Sequence, residues 1–198
     1  METKSNAFKD FISPILVLVI ICFVVTFLLA FVYGITKPII DENTAAAASE
    51  ARSALLEDAD GKFSDAGAEL VTYEENKVYA TECYTADNGS GMVVTVESNS
   101  YGGLLTAMVG INKDGEITGV QITDHADTPG VGTKAQDPAH LSQYEGHSEL
   151  ASDNIKAHAD DIVEVTGASV SSGAIHKAVY CALEQFKEME VLSNGKEK

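Results

Sequence analysis

Basic residues are scarce in this 198-residue chain: 13 Lys and Arg stand against 30 Asp and Glu. Residues 1–37 hold Lys4, Lys9 and Lys37 against Glu2 and Asp10, so the net charge of −17 belongs wholly to residues 38–198. A surface of that sign repels polyanions, which excludes nucleic acid as a partner. Cysteine is almost missing as well. Cys22 sits inside an apolar run, and Cys83 and Cys181 form no CxxC pair and no zinc-type spacing. Two buried free thiols are the favoured reading of those two, over a disulfide. The five histidines show no HExxH pattern or close pairing, so no metal ligands are assigned. Nothing in the text pairs a nucleophile with a base, which argues against hydrolytic catalysis and leaves no catalytic residue to name. No internal repeat stands out.

Hydrophobic residues, by contrast, are concentrated. Ile15 to Tyr33 reads "ILVLVIICFVVTFLLAFVY", with Thr26 its one polar member. At about 1.5 Å per residue the run spans roughly 28 Å, close to the hydrocarbon thickness of a bilayer. A cleaved signal peptide would have a shorter apolar region followed by a small-x-small cleavage site. Here Ala30 stands alone among bulky residues and the run continues into "GITKPII". The reading is a retained transmembrane helix over 12–36, behind a short N-terminus of residues 1–11, with membrane lipid as its surroundings. Lys4, Lys9 and the terminal amine precede the span, whereas Lys37 follows it with Asp41 and Glu42 next. The bias of basic residues puts the N-terminus in the cytoplasm and the bulk of the chain outside the cytoplasmic (inner) membrane.

After Pro38, "DENTAAAASEARSALLED" is rich in helix formers and reads as a linker helix within 37–60. The centre then changes period. "KVYATECY" (77–84), "GMVVTVES" (91–98), "GLLTAMVGIN" (103–112) and "ITGVQIT" (117–123) are short and rich in Val, Ile and Thr. The intervening "ADNGS" and "NKDGE" carry Asn-Gly and Asp-Gly, which tolerate the positive φ of hairpin turns. An antiparallel sheet is expected, with 104–111 as a buried interior strand because both of its faces are apolar. Asp124 to Gly146 holds two prolines and three glycines and reads as a long functional loop, with Asp137 capping a short helix at Pro138. In the last segment, Ile175, Val179, Ala182, Leu183, Phe186 and Met189 share one helical stripe, and Lys177, Glu184, Gln185 and Glu188 lie off it. The fold class is therefore α+β: one N-terminal span, then a domain over 61–191 with a central antiparallel sheet and packed helices. Residues 192–198 read as a frayed tail.

One junction is unusual. "VEVTGASVSSGAIHKAV" (163–179) gathers Thr166, Ser169, Ser171 and Ser172 where a helix begins, although a cap needs a single hydroxyl. The plain structural reading makes Ser171 or Ser172 that cap. The functional reading adds that a helix start presents free N–H groups and a positive dipole end, which suits phosphate. Gly167 and Ala168 let backbone come close, and a hydroxyl can form a phosphoester.

"TGAS", Thr166 to Ser169, resembles the Ser/Thr-Gly-Ala-Thr/Ser signature of covalently flavinylated FMN-binding domains. "SYGGLLTAMVGINKDGEITGVQI" (100–122) is similar to the sheet region of that family, and "HADTPGVGTK" (125–134) to its Glu-Thr-Pro-Gly-Leu-Gly loop. With the span and "TKPIIDENTAAA" included, the likeness covers nearly the whole chain. It is strongest to the G-subunit family of Rnf-type ion-translocating electron-transport complexes, with the C subunits of sodium-pumping quinone reductases next. In two places the chain departs from the pattern. The acceptor position holds Ser169 where Thr is usual, and Val163 takes the place of an acid, with Asp161 and Glu164 on either side.

The resemblance implies a membrane-anchored electron carrier with FMN esterified through its phosphate to Ser169 by a flavin transferase. Gly167 and Ala168 would let backbone approach that ester, with Thr166, Ser171 and Ser172 as lesser acceptor candidates among the cofactor-binding residues. Asp127, Thr128, Gly130 and Gly132 would border the flavin, with Tyr101 and Gly102 helping to shape the pocket. Membrane and iron–sulfur subunits passing electrons between ferredoxin and NAD, coupled to ion movement, would be the partners, and the enzyme would be the complex rather than this chain alone. Two other readings stay open at this point: a flavin-free structural or assembly subunit, and the equivalent subunit of a sodium-pumping quinone reductase.

Overall fold

A computed structural model of the chain describes residues 13–67, 69–75, 77–158 and 161–195, with side chains described as far as residue 190. The expected N-terminal segment 1–11 lies outside the described residues. The chain divides into two compact units, 1–47 and 48–198.

Helix α1 runs from Ser13 to Leu55 with Pro38 inside it. The apolar run that opens it is exposed residue after residue. It is long and apolar enough to cross a membrane. The chain remains helical beyond Lys37, so the expected span and the expected linker helix are one element. Its last turns belong to the second unit, because Ala51 and Leu55, followed by Leu56 and Ala59, are buried against the sheet.

That second unit is built on a sheet of six strands: β1 (Phe63–Asp65), β2 (Thr72–Glu74), β3 (Val78–Ala86), β4 (Gly91–Asn99), β5 (Leu104–Asn112) and β6 (Ile117–His125). The order is β1-β3-β4-β5-β6, with β2 also paired to β3, and every pairing is antiparallel. The four long strands are those the hydrophobic periodicity marks. The two short ones, three residues each, carry too little pattern to read. Strand β5 lies between β4 and β6 and is buried on both faces, as its apolar text requires.

Each face of the sheet has its own cover. The short helix α2 (Pro138–Leu141) follows the sheet, and the last helix, α3 (Ser169–Gly195), lies on the face presented by Val94, Val96, Ala107, Val109 and Ile111. The α3 stripe of Ile175, Val179, Ala182, Leu183 and Phe186 is buried there, with Met189 partly so. Each of the larger side chains contributes roughly 1.5–3 kcal/mol by leaving water. The helix continues to Gly195, into the segment expected to fray; residues 196–198 lie outside those described.

One stripe assignment needs correcting. Gln185 is not on the solvent side but fully buried. Its amide oxygen accepts from the Val71 N–H at 2.7 Å, and its amide nitrogen donates to the Glu69 carbonyl at 3.1 Å. A buried amide is stable only when both of its ends are satisfied, and here it ties the strand-poor segment before β2 onto α3. Cys83 and Cys181 are both free and buried. Burial pushes each thiol up to about 11, which leaves them protonated and inert at neutral pH.

On the opposite face the end of α1 meets a bare patch of sheet. Gly110 of β5 pairs with Gly119 of β6. A Cβ on Gly110 would lie 2.6 Å from the Leu55 carbonyl oxygen, and one on Gly119 would lie 3.1 Å from Leu55 Cδ2. The Thr118 hydroxyl donates to that same Leu55 carbonyl, one of those that a helix end leaves without an intrahelical partner. Glycine is used here for proximity, not for turning. Gly110→Ala should therefore destabilise the second unit by about 1–3 kcal/mol through forced displacement of backbone. Chemical denaturation of the full chain in detergent measures this as a lower midpoint.

Candidate functional site

The approach to α3 is a tight turn. Gly167 has a φ of +83°, which an L side chain rarely adopts, and the Ala168 N–H donates to the Val165 carbonyl at 2.9 Å. The Ser172 N–H then donates to the Ala168 carbonyl at 2.9 Å, and the Ser172 hydroxyl accepts from the Val165 N–H at 3.1 Å. The four hydroxyls thus separate into two pairs. Ser171 and Ser172 are buried, and Ser172 is occupied in fastening the turn. Thr166 and Ser169 are exposed, with Ser169 the first residue of the helix.

A second cluster adjoins that first turn. The carboxylate of Asp127 is buried and accepts from the Ser100 hydroxyl at 2.9 and 2.8 Å and from the Gly102 N–H at 3.0 Å. Gly102 is necessarily glycine, since a Cβ there would run into the Ala126 carbonyl. A Cβ on Gly132 would lie 2.8 Å from Asp127 Cγ and 2.9 Å from Ser171 Oγ. The loop, the Ser100–Gly103 turn and the first turn of α3 therefore meet through Asp127, Gly132 and Ser171. Thr128 contributes backbone here: its carbonyl accepts from the N–H groups of Val131 and Gly132 at 3.1 Å each. Gly130, with a φ of +76°, has open space around it, and its N–H donates to the Thr133 hydroxyl. Tyr101, Val131 and Val170 are all exposed, and each is the chain neighbour of a member of the cluster.

Ser169 itself opens on a cleft of about 420 Å³ whose wall includes Asn154, Lys156, Glu164, Gly173 and Lys177. Nothing in the sequence announced this cleft, because its walls come from separate segments. Neither Gly167 nor Gly173 has an atom within 4 Å of where a Cβ would stand, so the backbone beside Ser169 is open. An exposed hydroxyl, the N–H groups of a helix start and the Lys156 ammonium form a donor set suited to a phosphate ester, while Lys177 in the same cleft is paired with carboxylates.

Residues 100–184 match the FMN-binding domain family, a span that takes in Asp127, Gly132, Ser169 and the cleft wall alike. The G subunit of the proton-translocating ferredoxin:NAD(+) oxidoreductase complex of Clostridium ljungdahlii is 30% identical over 170 residues, covering 85% of this chain and 87% of that protein. The chain belongs to the G-subunit family of ion-translocating oxidoreductase complexes. The corresponding G subunit of Methanosarcina acetivorans is 28% identical over 187 residues, which is 92% of this chain and 97% of that one. The Na(+)-translocating complex of Acetobacterium woodii supplies a third relative, 28% identical over 102 residues, about half of each chain.

This family member also surrounds its cleft with a charge network that the sequence did not disclose. Lys177 is paired with Glu74, and with Asp153 at 3.7 Å. The hydrogen bond from Lys177 holds the Glu74 carboxyl below the usual carboxylate range, and the same bond raises Lys177 above an ordinary lysine. Folded Glu74 binds its proton less readily than unfolded Glu74. Its stabilisation is thus complete above the ordinary carboxylate value and lost as pH falls through the lowered one. For Lys177 the loss comes at the other end, as pH rises through its raised value.

Gly132→Ala pushes a methyl group into Asp127 and Ser171, and should lower stability by about 1–3 kcal/mol in thermal or denaturant unfolding. Glu74→Gln should cost at most about 1 kcal/mol near neutrality, given how much of the pair solvent still reaches. That difference from the wild type should narrow as pH falls below the ordinary carboxylate value and vanish below the lowered one, as read from unfolding midpoints across a pH series.

Proposed function

We propose that this chain is a membrane-anchored electron-transfer subunit of an Rnf-type ferredoxin:NAD oxidoreductase complex, and that it carries FMN as a phosphoester on Ser169. The observation that carries the reading is the exposed Ser169 hydroxyl at the start of a 27-residue helix, inside the matched FMN-binding region. FMN, when bound, supplies one- and two-electron exchange. Everything else is the work of this chain's residues. The first-turn N–H groups of α3 and its dipole hold the phosphate charge, and Lys156 and Lys177 stand in the same cleft. Gly167 and Gly173 keep the backbone open to the ester. On the loop side, Asp127 fixes Gly102 and the loop carrying Thr128, Gly130 and Gly132. Exposed Tyr101, Val131 and Val170 offer apolar surface to a planar ring.

The span and the basic residues before it support a single pass through the cytoplasmic membrane. The N-terminus lies inside and the FMN-binding domain outside. An ester bond keeps a cofactor from being lost into that outer space. Membrane and iron–sulfur subunits of the same complex are the electron partners, and a flavin transferase drawing on FAD performs the loading. The relatives' names include both proton and sodium translocation, and neither ion is assigned to this chain.

The test is in-gel flavin fluorescence of the denatured protein made in a host that possesses the transferase. The wild-type band should fluoresce, Thr166→Ala should keep the signal and Ser169→Ala should lose it. A dark wild-type band would contradict the proposal and leave a structural or assembly subunit in its place.

A further inference from the structure

Glu164 is held on both sides yet has a carboxylate oxygen with no partner. The preceding backbone, at Val163, donates its N–H to the amide oxygen of Gln143 at 2.8 Å. The following backbone, at Val165, donates its N–H to the Ser172 hydroxyl at 3.1 Å. One clamp belongs to the 142–144 turn and the other to the first turn of α3, so the segment between them is fixed. Glu164 lines the cleft onto which Ser169 opens. Its Oε2 is wholly buried and makes no hydrogen bond. A buried acceptor without a donor costs stability, and such atoms are kept where chemistry or a ligand satisfies them. The other charged groups of the cleft are Asp153, Lys156 and Lys177, and Lys177 is already bonded to Glu74 and Asp153.

We propose that Glu164 takes the proton of the Ser169 hydroxyl as the phosphoester forms; this rests on the reading of Ser169 as the acceptor. In that step Ser169 Oγ bonds to the FMN-side phosphorus of FAD. The phosphoanhydride bond breaks, AMP leaves with the bridging oxygen, and the hydroxyl proton passes to Glu164. No oxidation state changes. Charge explains why a carboxylate belongs there. An ionised Glu164 activates a neutral hydroxyl but would repel the anionic diester that follows. Once protonated, it loses that repulsion and gains an O–H that can be donated to the new phosphate.

The experiment loads purified full-length chain in detergent with FAD, Mg²⁺ and a flavin transferase, following the esterified fraction by intact mass over time. Glu164→Gln should slow loading by about 100-fold near neutrality. Glu164→Asp should load within about tenfold of the wild type. Loading of Glu164→Gln at the wild-type rate would overturn the role of Glu164 while leaving Ser169 as acceptor. Equal slowing in Gln and Asp variants with unchanged unfolding midpoints would overturn it too. Wild-type chain that never loads would overturn both readings together.

Discussion

A buried carboxylate is the fastening on which this site depends. Asp127 has been removed from water, a loss that its hydrogen bonds from Ser100 and Gly102 must offset. Because those donors lie on a different segment, satisfying the charge also fixes the geometry between segments. Gly132 then closes on Asp127 from one side and on Ser171 from the other, which carries the fixation into the first turn of α3. The loop, the Ser100–Gly103 turn and the helix start thereby act as one piece, although they are far apart along the chain. Under the function proposed above, that rigidity is what a site holding a planar cofactor requires.

The same economy appears in the sheet beneath. Its two faces are covered differently: α3 lays a broad apolar stripe on one, while on the other the end of α1 enters a shallow place made by paired glycines. Both contacts remove apolar area from water; the second adds close backbone approach and one hydroxyl-to-carbonyl bond to the burial of Ala51, Leu55, Leu56 and Ala59. Family membership follows from the comparisons, and the geometry shows how this member brings its glycine-rich loop and its helix start to one place.

What could be read from the text was whatever repeats. The four long strands, the stripe of α3, the Asp137 cap and the apolar run all declare themselves by period or by a local pair of residues. The Asp137 side chain accepts from the Ala139 N–H with Pro138 following it, as the spacing requires. What repeats nothing could not be read. Gln185 is polar and looked solvated, because only the fold reveals that two backbone groups near β2 await it. The Gly110–Gly119 patch is invisible until register pairs them. Of the hydroxyls at the helix start, the sequence favoured Ser169 by its small neighbours and by resemblance; burial adds a physical separation, since Ser171 and Ser172 are buried. Of the cleft wall, Glu164 was marked by the family pattern as an acid near Val163, whereas Lys156 and Lys177, on separate segments, had no signature.

The central claim is chemical: a serine oxygen at the head of α3 bears a flavin phosphate. Tandem mass mapping of the chain recovered from native, assembled membranes tests it most directly. The account predicts a peptide spanning Ser169 that is heavier by FMN less one water, with the fragment ions assigning the added mass to that serine. The same peptide recovered at its unmodified mass from membranes active in electron transfer would contradict it.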